Sequence, residues 1–306
     1  MFSKKLLGSV ALLVAALFWG STFVAQSVAS EVVKPFTFLA SRSLLGFLFL
    51  IPVSLFKDLF AKKSGNYQKP DKNGIKMLVI GGICCGAALT AASGLQQLGM
   101  TGENSGKAGF ITAMYILLVP VLGLLFRKRV RPAIWLCVIM GVIGLYFLCI
   151  TDSFSLEKSD IFLMICAVVF SVHILIVDYF SPKVDGVKLS CIQFFTVFVL
   201  ASVIALASED TSFSEILHAW FPIFYAGIFS SGIAYTLQII GQKHTEPTVA
   251  SLLMSLESVF AVLTSIVVLV QFPTRREIIG SVIMFAAIII SQLPERKTKN
   301  NPKKPQ

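Results

Sequence analysis

Ten apolar runs, each close to the length that crosses a hydrocarbon core, constrain this chain more than any other feature. They cover 6–29, 36–56, 75–98, 105–126, 133–150, 160–180, 189–207, 219–241, 247–270 and 277–293. A bilayer-spanning helix needs about 20 mostly apolar residues, because it rises 1.5 Å per residue across a core about 30 Å thick. The runs are separated by short polar segments that leave no room for a soluble domain of any size. With 56% hydrophobic and 14% charged residues, the chain carries more apolar surface than one soluble core could bury; soluble chains are about 25% charged. Its net charge of +10 comes from basic residues that, Arg42 apart, lie in or at the edges of the segments between runs. That distribution points to a membrane surface and not to nucleic acid.

Basic residues set the orientation. With the N-terminus placed in the cytosol, 20 of the 26 Lys and Arg fall on the inner segments and 5 on the outer ones, and Arg42 lies within a run. This bias predicts both termini on the cytosolic side of a plasma or inner membrane and an even number of spans. The first run is too long for a signal-peptide core and more runs follow at once, so it reads as an uncleaved span. The tail 294–306 is polar, basic and Pro-bearing, and is expected to be disordered. The six cysteines sit in apolar runs without CxxC spacing or a neighbouring histidine, so they read as packing residues, with no metal site expected.

A short internal repeat organises the runs. Leu95-Gln96-Gln97-Leu98-Gly99 matches Leu237-Gln238-Ile239-Ile240-Gly241 at an offset of 142, which also pairs Ala92 with Ala234 and Ala108 with Ala250. The offset lays the third run on the eighth and the fourth on the ninth. Five spans is an odd number, so the second half must enter the membrane from the opposite side. The expected architecture is therefore all-α, with ten transmembrane helices in two inverted five-helix repeats, 1–150 and 151–293. Inverted repeats are a common plan of secondary transporters, with the solute bound near the midplane between halves.

Several motifs lie along this frame: Phe18-Trp19-Gly20-Ser21, and Lys34-Pro35-Phe36 followed by Arg42. Ala108-Gly109-Phe110-Ile111-Thr112 then leads to Tyr115 through Pro120. In the second half, Ala234-Tyr235-Thr236-Leu237-Gln238 is followed by Pro247 through Leu252, Ser255-Leu256-Glu257 and Gly280. In order and spacing they resemble the EamA family of the drug/metabolite transporter superfamily. The resemblance implies a ten-helix inverted-repeat fold that exports or exchanges metabolites, amino acids or related small molecules. Two positions depart from the family pattern: Ser258 stands where Pro often follows the glutamate of span nine, and Gln271 stands where Glu often precedes the last loop.

Polar residues inside spans are costly, so each asks for a reason. Glu257 lies near mid-depth in span nine, as a candidate proton-coupling or substrate-amine group. A packing hydrogen bond is the competing role. His173 in span six could relay a proton or serve as an interhelical donor. Arg42 could snorkel to the outer surface or pair with a substrate carboxylate. Gln96 and Gln238 occupy equivalent places in the two repeats, and Trp19, Tyr115 and Tyr235 could wall a solute. The expected substrate-binding set is thus Trp19, Arg42, Gln96, Tyr115, His173, Tyr235, Gln238 and Glu257. No catalytic residue or cofactor is expected. Gly102-Glu103-Asn104-Ser105-Gly106-Lys107 lacks the spacing of a phosphate loop, and neither HExxH nor GxSxG occurs. The expected partners are a small solute, a proton as candidate coupled ion, and membrane lipid. An intramembrane enzyme acting on a lipid-like substrate would need a cluster of His, Asp or Glu at a membrane face. A non-transporting scaffold would normally add a soluble domain. Neither feature is found.

Overall fold

The computed structural model describes residues 4–30, 32–67, 69–99, 105–125, 130–150, 158–210, 212–269 and 272–293. The tail 294–306 lies outside them. The described residues form helices and connecting turns. Span one is α1 (Lys4–Ser30), followed by α2 (Pro35–Lys63) and α3 (Lys72–Gly99). Span four divides into α4 (Ser105–Thr112) and α5 (Tyr115–Leu125), and span five is α6 (Pro132–Cys149). Then come α7 (Lys158–Phe180), α8 (Gly186–Ser208) and the short α9 (Phe213–His218). Span eight runs through α10 (Trp220–Tyr225), a π-helix (Ala226–Ala234) and α11 (Tyr235–Gln242). Span nine divides into α12 (Pro247–Met254) and α13 (Glu257–Leu269), and α14 (Arg275–Gln292) follows.

Among the described residues, 9 of these stretches are long and apolar enough to cross a membrane. The tenth expected span, α14, has 18 residues but begins Arg-Arg-Glu. The helix ends follow ordinary chemistry. Pro35 and Pro132 open α2 and α6, where proline lacks only an N–H that the first turn does not use. Thr274 caps α14 in a reciprocal capping box with Glu277.

Packing runs between the repeats more than within them. Helix α2 lies along α8, α3 along α7 and α8, α6 along α14, and α1 along α13 and the segments of span eight. Glycines permit the close approaches, as small residues do where helices meet in lipid. A Cβ on Gly144 would sit 2.9 Å from the Gly280 carbonyl, and one on Gly280 would sit 2.6 Å from that of Gly144, so the backbones of α6 and α14 touch.

Helices α2 and α8 run antiparallel and are bonded at both ends. At one face the Glu209 carboxylate accepts from the amides of Phe36 and Thr37 (2.9 Å each) and from the Thr37 hydroxyl (2.8 Å). The two amides belong to the first turn of α2, whose N–H groups have no acceptor within the helix itself. At the other face, Lys57 pairs with Asp185 at 2.6 Å and Lys188 with Asp58 at 2.7 Å. Between these faces α8 has 23 residues, about 34 Å of helix, enough for the hydrocarbon core.

Asp185 also caps α8, its Oδ1 accepting from Val187 N at 3.0 Å and Lys188 N at 3.1 Å. Burial opposes its ionisation, but the Lys57 ammonium and these amides outweigh burial and hold its carboxyl below the usual aspartate range. A carboxyl depressed in this way adds stability above its unfolded pKa, about 3.9, and loses it as pH falls through the lower folded value. Asp185→Ala should therefore lower unfolding stability at neutral pH by about 1 kcal/mol, through the lost cap and a half-exposed ion pair. The gap to the wild type should narrow as pH falls below the unfolded pKa and close under the lower folded one. Thermal unfolding in detergent at several pH values measures both effects, and Asp185→Asn, which can still cap, should lose less.

Candidate functional site

The breaks in spans four and nine locate the site. In span four the Met114 amide donates to the Ile111 carbonyl and the Ile116 amide to that of Ala113, both three residues back. In span nine Leu256 donates to Leu253 and Ser258 to Ser255, again three residues back. Each residue of the second set is 142 positions beyond its counterpart, the offset of the sequence repeat. Both spans therefore tighten by the same local geometry at the same place. Short tight turns inside long helices are frequent at functional hinges.

The residue that follows each tight turn is Tyr115 in one repeat and Glu257 in the other. The Tyr115 hydroxyl donates to Glu257 Oε1 at 3.1 Å, a bond between residues 142 apart. Equivalent residues of two repeats can meet only near the axis that relates them. The bond thus marks the axis that relates the two repeats inside the bundle. Helix α1 closes on the same turn: a Cβ on Gly20 would come 2.5 Å from the Glu257 carbonyl and 2.6 Å from Phe260 Cβ.

A cavity surrounds this bond, with about 590 Å³ of empty space when its mouth is included. All eight residues singled out from the sequence line it. Trp19 comes from α1, Arg42 from α2, Gln96 from α3 and Tyr115 from α5. His173 comes from α7, Tyr235 and Gln238 from α11, and Glu257 opens α13. Tyr235 is the hub of the aromatic wall: its ring stands edge-on to Trp19 (4.8 Å between centroids), Phe194 (5.5 Å) and His173 (6.2 Å).

Arg42 is 7% exposed. Its guanidinium lies 5.6 Å from the centre of the Phe38 ring, and among the described residues no carboxylate is within ion-pair distance. His173, 1% exposed, meets Gln193 Oε1 through Nε2 at 3.3 Å. Gln238 donates to Gln242 Oε1 at 3.0 Å, and Gln242 donates to the Ile174 carbonyl at 3.0 Å. Gln193 is the buried partner of His173 and is absent from the lining.

Several lining residues were not singled out from the sequence. Thr22, Phe23 and Gln26 follow Trp19 at helical spacings of three, four and seven and share its face of α1; that periodicity is the signal that would have found them. Phe170 lies three residues before His173 by the same rule. Ser230 sits in the π-helix, whose wider turn breaks the periodicity, so no comparable sequence signal reaches it. Among the described residues no group of His, Cys, Asp or Glu is arranged to hold a metal ion.

Comparison with known proteins turns this geometry into a family assignment. The EamA-like transporter family matches twice, over residues 6–150 and 157–293. The chain belongs to the EamA-like transporter family. As an EamA-like protein it is a multi-pass membrane protein of two repeats, in a family of transporters. A relative from Archaeoglobus fulgidus, named an uncharacterized transporter, is 28% identical over 291 residues, covering 95% of this chain and 87% of its own length. Another protein of the same name, from Clostridium kluyveri, is 21% identical over 304 residues, covering 96% and 95%. A solved crystal structure superposes with a TM-score of 0.77 at 19% identity, covering 96% of this chain and 99% of that one. That likeness concerns the fold alone.

Proposed function

We propose that this EamA-like protein is a secondary transporter that exports or exchanges a small metabolite, an amino acid or related compound, by alternating access. The observation that carries the reading is the Tyr115–Glu257 bond at equivalent positions of two inverted repeats, inside a cavity lined from both halves. A site on the axis between inverted repeats can be reached from either side when one repeat rocks against the other. Tight turns in spans four and nine, at the level of the bond, are suited to such a motion.

In this reading α14 is the tenth span, both termini are cytosolic, and the face with Asp185 is the inner one of the plasma or inner membrane. The charge bias supports that orientation. The Trp19, Arg42, Gln96, Tyr115, His173, Tyr235, Gln238 and Glu257 side chains contact the solute. Glu257 is also the candidate group for proton coupling, being an ionisable side chain within the spans and the cavity.

The test is transport by the purified protein in liposomes against a broad panel of metabolites, with and without a pH gradient. An untargeted comparison of metabolites inside and outside cells with and without the protein would choose the panel. Net solute movement that depends on the protein is the expected result. A protein that moves nothing from such a panel under either condition is not a transporter of this kind.

A further inference from the structure

The cavity carries buried polar atoms for which the fold supplies no partner, and they differ in kind along its length. Nearer the Glu209 face is Arg42, the eighth residue of α2, whose Nε lacks an acceptor. Near the Asp185 face is Gln238, the fifth residue from the end of α11, whose Oε1 lacks a donor. Both side chains are more than nine-tenths buried and line the same cavity.

The direction of the glutamine is fixed by its neighbours. The Ile174 carbonyl can only accept, so Gln242 must turn its amide nitrogen there. That leaves Gln242 Oε1 facing Gln238, which must answer with its own nitrogen. The remaining atom, Gln238 Oε1, is an acceptor with nothing to accept. His173 does not repeat the pattern: its Nε2 meets Gln193 Oε1, but Gln193 Nε2 has no partner to fix that amide, so the pair leaves both His173 Nδ1 and Gln193 Nε2 without partners. Arg42 has only donors. Arg42 at one end thus lacks an acceptor and Gln238 at the other lacks a donor, with the Trp19 indole N–H a further lining donor without an acceptor, and buried polar groups left so are costly unless a ligand completes them.

The geometry points to a bipolar solute: a small monocarboxylate lying along the membrane normal, its carboxylate on Arg42 and an N–H or O–H donor at its other end on Gln238 Oε1. This rests on the cavity being the solute site. A carboxylate matches the planar fork of a guanidinium. A single anionic charge is preferred because Arg42 is the one cationic side chain among the described lining residues and Glu257 shares the space. Phe23, Phe170, Ile174 and Met254 supply an apolar wall for the carbon frame between the ends.

The experiment measures binding to the full-length protein in lipid nanodiscs, by intrinsic tryptophan fluorescence and by thermal shift. The probes are α-amino and ω-amino acids of increasing chain length, each beside its amide, its des-amino acid and its hydroxy acid. Amino or hydroxy acids should bind, with the amide on the order of tenfold to a hundredfold weaker. Arg42→Gln should erase that acid-over-amide preference, while Arg42→Lys should keep it at lower affinity, which guards against a mere folding defect. Gln238→Leu should leave the acid-over-amide ratio intact and erase the preference for a donor over the des-amino acid. The hydroxy acids show whether the donor must be charged. Amides binding as well as acids, a preference that survives Arg42→Gln, or chloride competing as well as any carboxylate would each overturn the inference. If no carboxylate binds while another solute is transported, the bipolar assignment falls and the transporter reading stands. If nothing is transported from the broad panel, the transporter reading itself falls.

Discussion

Glu257→Gln should fold like the wild type and lose solute movement driven by a pH gradient, by about tenfold or more. The amide keeps an oxygen where Glu257 Oε1 accepts from Tyr115 at 3.1 Å, so the bond on the repeat axis survives. What disappears is the carboxyl, and with it the candidate proton-carrying group of the bond. Coupling free energies between two ligands typically correspond to changes of 5- to 150-fold, which sets the scale. The readout is solute flux in liposomes with and without an imposed pH gradient, normalised to folded protein. Solute exchange at equal pH should persist in the variant, because exchange needs the cavity and not the proton. Full gradient-driven flux in Glu257→Gln would remove Glu257 from coupling. Tyr115→Phe probes the other side of the bond: it deletes the donor and retains the carboxyl, so gradient dependence should survive with altered flux.

Gly280→Val should be among the most damaging single changes to the fold. No side chain fits at Gly280: its Cβ would lie 2.6 Å from the Gly144 carbonyl and 2.7 Å from the Leu148 amide nitrogen. These are backbone atoms of a facing helix and cannot turn aside as a side chain end would. Overpacking of this kind costs about 1–3 kcal/mol, occasionally more, and contact with backbone places it at or above the upper end. Lower yield in the membrane and a melting temperature reduced by about 5–10 °C in detergent are expected, taking roughly 2–4 °C per kcal/mol for a chain of this size class. Gly109→Ala is the control, since nothing lies within 4 Å of a Cβ built there.

Much of this molecule was legible in its sequence, for reasons that particular residues make clear. Hydropathy locates spans because lipid demands apolar side chains along the whole helix. Trp19, Arg42, His173 and Glu257 were legible because polar and aromatic groups within apolar runs need a destination, and a shared cavity is one that satisfies several of them. The match of Gln96 to Gln238 revealed the repeat. The breaks after Thr112 and after Met254 were not visible: Ala113-Met114 and Ser255-Leu256 contain neither Gly nor Pro, and nothing local forbids continued helix. Tertiary packing sets those turns. The π-helix over Ala226–Ala234 is likewise not visible, because a stretch of nine small and apolar residues is too short and too low in contrast to tell one helical period from the other. Span nine shows the limit of family pattern as well. Ser258 replaces a frequent Pro, yet the turn is present, its amide bonded to Ser255.

The pairing of α2 with α8, sealed by Glu209 at one face and by Asp185 and Asp58 at the other, has a consequence for how the protein is made. Synthesis delivers α2 long before α8, and α3 and α6 likewise wait for α7 and α14. Until then the first repeat sits in the bilayer with its polar helix ends and its glycine seams unmatched. The nascent half-molecule is therefore a client for whatever holds incomplete spans in the membrane. The N-to-C order of the helices becomes part of the folding pathway: the inter-repeat pairings can form only as the second repeat arrives.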